Sequence, residues 1–299
     1  MATKHEYRRK LDRGILKTLA KPIVWPWLFD ACRDWLVIIT GFYCLHLFPN
    51  IFTALLCLLV IGNRQHALTI LGHDGTHYTL FKNKKMNDFL TNLICFWPIG
   101  LTVSGYRTLH KKHHRHAGAQ EDPELAHKKS RAPQWDLPTS PFKVLKYAAL
   151  DIIGFSVPDY WIIITYSKPD KTSQYYPLIA MHVILVLACI LVGFWWVPVI
   201  WYLALVTTFM MAFRLRLWLE HQGTSETHRL HLSYLQGALL APHNSWMHWE
   251  HHNWPSIPYH RLPIIREQIK EVRIIKLAEL IAFFETCKSI KSGDALKVR

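Results

Sequence analysis

The stretch TSQYYPLIAMHVILVLACILVGFWWVPVIWYLALVTTFMMAF, residues 172–213, contains no Asp, Glu, Lys or Arg. A helix needs roughly 20 apolar residues to cross a bilayer core of about 30 Å, so this run suffices for two spans with a tight turn near Gly193 to Pro198. Upstream, Trp35 to Asn63 is likewise free of charge. This shorter run predicts two spans only if the second helix continues through Arg64 to Gly72, with Arg64 near water and its stem along apolar surface. One long span is the alternative. With 51% hydrophobic residues gathered into such runs, the pattern is that of a membrane protein rather than a soluble enzyme.

Trp25, Trp27, Trp35, Tyr175, Tyr176, Trp195 and Trp196 cluster at the ends of the runs, as in an interfacial aromatic belt. Lys4, Arg8, Arg9, Lys10, Arg13, Lys17 and Lys21 precede the first run, and Lys and Arg are frequent between and after the runs. The turns at Pro49-Asn50 and Trp195 to Val199 carry none. The positive-inside bias therefore predicts both termini and the central segment on the cytoplasmic side. The net charge of +14 is explained by this topology, by anionic headgroups and by an acidic partner protein rather than by nucleic acid. The first thirty residues lack the pattern of a cleaved signal peptide, so insertion is expected to rely on the first span. Six scattered cysteines without a CxxC imply neither a disulfide framework nor a zinc ribbon.

The resulting layout is a single domain, 1–299. It comprises a basic N-terminal segment (1–33), a first hairpin (34–72), a cytoplasmic or interfacial segment (73–171), a second hairpin (172–216) and a C-terminal cytoplasmic segment (217–299). Within the third part, Asp88 to Val103 is apolar enough to dip into the interface, Gly118 to Pro141 reads as loop, and Tyr147 to Thr165 as an interfacial helix. Ile264 to Thr286 has the spacing of one amphipathic helix.

Three windows carry the chemistry: His73-Asp74-Gly75-Thr76-His77, His110-Lys111-Lys112-His113-His114 and His248-Trp249-Glu250-His251-His252. Residues three and four apart share a helical face, so His73 with His77 can address a common centre, and each HxxHH can present up to three nitrogens. A lone HxxxH is more often a satisfied pair than a site. Three windows on one membrane face are another matter, because burying so many imidazoles without partners or metal is costly. Imidazole alone does not name the metal, but eight ligands exceed the three of a catalytic zinc and suit two ions of higher coordination number, with a pair of irons able to bind O2 the natural candidate. His116, about 120° around the helix from His110, is expected in the surroundings of the ligands rather than among them. His66, His228, His231, His243 and His260 have no spacing argument, and His46 and His182 read as packing residues. Of the nearby carboxylates Asp74, Asp122, Glu220 and Glu250, each could steady a ligand imidazole or pair with Arg115, Arg214 or Arg216. Asp74 and Glu250, locked between ligands, are favoured for the first role.

GHDGTH (72–77), HKKHHRH (110–116) with Asp122-Pro123, and HWEHHNWPSIPYHRLP (248–263) resemble the histidine boxes of the membrane fatty acid desaturase-like superfamily, over most of Asn63 to Pro263. That superfamily includes acyl desaturases, alkane hydroxylases, and carotenoid hydroxylases and ketolases. The resemblance implies an all-α integral membrane protein, with four transmembrane helices in two hairpins and a cytoplasmic helical cap holding a dimetal site. It also implies a ninth ligand at His221, for which a supporting or surface role is the alternative.

Two hydrogen removals from a substrate methylene give an alkene, and one removal with hydroxyl return gives an alcohol; the same boxes serve both. Three residues between the first two histidines resemble acyl-lipid, bacterial and carotenoid-type members more than acyl-CoA enzymes, which argues against an acyl-CoA substrate; fatty acyl desaturation is ranked first. Hydroxylation or ketolation of a lipid, alkane or carotenoid follows, then a membrane zinc hydrolase. A metal transporter is disfavoured because ionisable residues are absent from the runs. No HPGG or rubredoxin-like CxxC segment is present, so electrons are expected from a separate carrier. Ferredoxin, or else cytochrome b5, would dock on Lys82, Lys84, Lys85, Lys111 and Lys112.

Overall fold

The computed structural model describes residues 11–224 and 227–287. Lys4, Arg8, Arg9, Lys10 and both chain ends, including their predicted sidedness, lie outside these residues. The fold is mostly helical, about 70%. α1 is Arg13–Leu19, α2 Trp25–Leu47 and α3 Ile51–Gly75. α4, Lys84–Thr91, continues through a π-helical and a 3-10 turn to Ile99, and α5 is Val103–His116. α6 is Pro123–Ser130, α7 Pro141–Ile152, α8 Val157–Tyr166, α9 Tyr175–Leu191, α10 Trp196–Val206 and α11 Thr208–Glu220. The C-terminal part holds β1 Leu230–His231, α12 Tyr234–Leu240, α13 His248–Asn253, α14 Leu262–Gln268, β2 Ile275–Lys276 and α15 Leu277–Thr286.

Helices α2 and α3 meet at residues 48–50, where Asn50 caps α3 by accepting from the Thr53 amide at 3.0 Å. They pack through Trp27, Ala31, Ile38 and Leu45 against Cys57, Ile61, Leu68 and Leu71, and the Trp27 indole donates to the Leu71 carbonyl. Trp27 thus belongs to the core, as does Trp35, which stacks on Trp201 at 5.6 Å. Trp25, Tyr176 and Trp195 do face outward. The helix α2 itself begins at Trp25, and its early charges find partners: Asp34 binds Arg64 at 2.8 Å, and Arg33 binds Asp30 at 2.9 Å. Arg64 is therefore an internal ion-pair partner that also donates to the Ala238 carbonyl at the end of α12, instead of reaching water alone.

Among the described residues, three helical stretches are long and apolar enough to cross a membrane: Ile51–Gly75, Thr172–Leu191 and Trp196–Glu220, the last interrupted at Thr207. Two bent pairs, Lys84–Ile99 with Val103–His116 at 88° and Pro141–Ile152 with Val157–Tyr166 at 83°, would raise the number to five. α2 is long enough, but Asp30, Arg33 and Asp34 interrupt its apolar character. α9 turns apolar side chains such as Ile184 and Leu191 outward along its length, a surface that water would disfavour and lipid accepts. Its turn into α10 uses Gly193 at φ +82°, a conformation glycine adopts without steric cost.

Three segments depart from the sequence expectation. Asp122 and Pro123 start α6 inside the predicted loop, an N-cap followed by proline. Tyr147 to Thr165 divides into α7 and α8 at Gly154, where φ is +88°. Ile264 to Thr286 is split by β2, which pairs in parallel with β1 through Leu230 opposite Ile275.

Candidate metal centre

The C-terminal end of α3, the C-terminal half of α5, the end of α11 and α13 bring nine imidazoles together. His73, His77, His110, His114 and His251 form one group, and His113, His221, His248 and His252 the other. Within each group the potential ligand atoms all lie within 4.8 Å of one another. All nine residues are buried or nearly so.

Neither HxxHH window serves a single centre. His110 and His114 address the first group while His113 crosses to the second, and His248 and His252 address the second while His251 crosses to the first. At 100° per residue the three positions span about 100° of helix circumference, wide enough to reach two centres from one helix. His77 lies just beyond the end of α3, in a turn continued by Tyr78 at φ +62°, and not on the helix face.

The nitrogens meet head to head. Nε2 of His110 is 3.0 Å from that of His77 and 2.8 Å from that of His114, which is 3.1 Å from His251. In the second group, Nε2 of His221 lies 3.1 Å from His113 and 2.8 Å from His248, and His248 lies 3.0 Å from His252. Two donors about 2.1 Å from one ion and at right angles to it are about 3 Å apart, so these separations fit two metal ions of high coordination number. The Nε2 of His73 is buried and has no partner among the described residues. Burial, helped by Arg107 and Lys111, pushes His77 down to about 3, and burial with neighbouring charges holds His248, His251 and His252 well below the usual imidazole value. These rings are neutral at pH 7, the form a metal requires.

The supporting carboxylates are not the two favoured from sequence. Asp122 accepts from Nδ1 of His113 at 2.9 Å while capping α6, and Glu220, itself bound by Arg216 at 2.7 Å, lies 3.3 Å from Nδ1 of His248. Asp74 instead accepts from the Thr79 hydroxyl and from the Tyr259 amide at 3.0 Å, tying the first box to the loop after the third. Glu250 is held by Arg229 and Arg266, each at 2.8 Å. Both adjoin a candidate ligand in sequence, and a one-residue step of about 100° turns them away from it. His116, half-buried at the end of α5, lies outside both groups. Sequence reasoning named Arg216 only as a pairing option for the carboxylates, which its bond to Glu220 realises, and gave His243 no role. Arg216 and His243 line a cavity of about 20 Å³ with His73, His248, His251 and Ser245.

The family model described as fatty acid desaturase matches residues 49–274, about three quarters of the chain, and spans all three histidine windows. The chain belongs to the fatty acid desaturase family. No curated protein matches it. Membership in the fatty acid desaturase family implies a membrane oxidoreductase that acts on a lipid and draws on an electron donor, in a family known for iron, and the two histidine groups are suited to hold metal.

Proposed function

We propose that this protein is an O2-dependent di-iron desaturase of fatty acyl lipids, introducing a C=C bond. The observation that carries the reading is the convergence of nine imidazoles into two groups with head-to-head nitrogens in a family of lipid oxidoreductases. His73, His77, His110, His114 and His251 would hold one iron, and His113, His221, His248 and His252 the other. Two irons bound there would supply the O2 chemistry that removes hydrogen from an unactivated methylene.

The chain's own residues do the rest. Asp122 and Glu220 fix the tautomers of His113 and His248, so that each Nε2 keeps a lone pair directed at its group. Asp74, through the Tyr259 amide, holds the loop after the third box against the first and so closes the site to water. In this reading α2 with α3, and α9 with α10 and α11, form two membrane hairpins, and both termini and the histidine groups face the cytoplasm. A separate ferredoxin, with cytochrome b5 as the alternative, docks on Lys82, Lys84, Lys85, Lys111 and Lys112, all exposed.

Hydroxylation or ketolation is the second reading, favoured by the polar residues Arg216, Asn244 and Ser245 in the cavity beside His73, His248 and His251, which could hold an oxygen substituent. Metal analysis of detergent-purified protein, paired with mass spectrometry of host lipids with and without expression, separates these. About two irons per chain and a lipid lighter by two hydrogens support the desaturase. A gain of oxygen supports the second reading, and one zinc with no oxidised lipid replaces both with a hydrolase.

A further inference from the structure

Arg214 lies two residues before Arg216 on α11, hence on the opposite face of the helix. There a second cavity, of about 10 Å³, is lined by His127, Trp135, Ser156, Asp159, Arg214 and neighbouring apolar residues. Three of its side chains carry buried polar atoms that meet no partner among the described residues: Nη1 of Arg214, Nε1 of Trp135 and Nδ1 of His127. The rest of each polar group is engaged. Arg214 donates through Nε and Nη2 to Asp151, and through Nη2 to Ser156. His127 has Nε2 3.1 Å from Asp159, and in the neutral ring that donates to this carboxylate Nδ1 is the acceptor.

Two donors and one acceptor are the complement of a hydroxyl, which accepts twice and donates once. Asp151 neutralises Arg214, and Arg131 faces Asp159 at 2.9 Å, so the cavity has no surplus charge to recruit an anion, and its volume admits one oxygen rather than a phosphate. Ser156 is flanked in sequence by the exposed Phe155 and Val157, and α7 and α8 display Phe142, Leu145, Ile153 and Trp161 outward, as a membrane-interface pair would. We propose that this cavity binds the hydroxyl group of a membrane lipid. The choice of a lipid rests on the lipid-oxidising reading above; the choice of a hydroxyl rests on the three unpartnered atoms.

The test measures binding, not oxidation. Detergent-purified full-length protein is titrated with a 1,2-diacylglycerol and with its 3-O-methyl ether, and bound lipid is counted by native mass spectrometry. The wild type should prefer the free hydroxyl by about tenfold, because the ether has no proton for Nδ1 of His127 and its methyl group overfills the cavity. Trp135→Phe keeps a six-membered ring able to stack on Trp218 but removes the N–H with the rest of the five-membered ring; with one of the two donors gone, the preference should fall several-fold. Equal binding of both lipids by the wild type would mean a trapped water only, and a preference unchanged in Trp135→Phe would place hydroxyl recognition elsewhere. Either result overturns the proposal while leaving metal content and lipid oxidation untouched. Absence of oxidation, conversely, leaves the binding ratio as it is.

Discussion

Asp122 caps α6 with the same oxygen that receives the His113 proton, so one side chain couples a local helix start to the orientation of a candidate ligand. Asp122→Asn keeps size and removes the charge, and should lower metal affinity by about 10- to 100-fold, read by competition with a chelator. Unchanged affinity would reduce Asp122 to a cap. His113→Ala and His251→Ala, one from each group, should each abolish oxidation and lower the iron bound per chain; retention of both would remove that histidine from the ligand set. His243 is buried against Asp34 at 2.7 Å, and although burial opposes its charge, hydrogen bonds to Asp30 and Asp34 raise it above the ordinary imidazole value. A raised folded-state value stabilises fully below about pH 6.5, and that contribution is lost as pH rises through the folded value. The stability gap between wild type and His243→Gln should therefore be widest in mild acid and shrink in alkali, as thermal unfolding in detergent across that range would show. Histidine spacing made eight of the nine candidate ligands legible at this scale, and His221 came from the family resemblance alone. The identity of their supporting carboxylates was not legible, since which way a neighbouring side chain turns depends on the element packed across from it.

Among elements, the crossing of α3 and α11 sets the distance between the first box and His221. A Cβ added to Gly62 would lie 2.1 Å from the Thr208 hydroxyl and 2.5 Å from the Phe209 amide nitrogen. Backbone cannot give way as a flexible side chain can, so Gly62→Ala should destabilise by about 1–3 kcal/mol and lower the melting temperature in detergent. A melting temperature equal to wild type would contradict so close a crossing. The helical phase of α5 and α13 decides how their histidines are shared. In both helices the pair four apart stays with one group and the residue three along crosses to the other. Sequence periodicity placed these residues on one face but could not say that the face looks onto two centres. The break in Ile264 to Thr286 was equally hidden, because β2 exists through its pairing with β1, more than forty residues earlier.

For the whole molecule, the outward apolar surface of α9 and the exposed lysines of α4 and α5 belong to different surroundings, lipid for the first and water for the second. The proposed docking face of Lys82, Lys84, Lys85, Lys111 and Lys112 would work through screened charge, so electron transfer from the proposed ferredoxin should slow as ionic strength rises. Lys84→Glu with Lys112→Glu should slow it several-fold at low salt, measured by stopped-flow reduction, and salt-insensitive transfer would move the donor to another face. Two long charge-free runs and three histidine windows are properties of the chain itself: hydrophobicity fixes which segments avoid water, and spacing along a helix fixes which side chains share a face. The sequence alone therefore determined a helical membrane protein with a histidine-rich centre. The division of nine imidazoles between two groups, the pairing of Asp34 with Arg64 and His243, and the placement of Asp122 beside His113 and of Glu220 beside His248 were decided only by tertiary structure, because each depends on distances between separate segments of the chain.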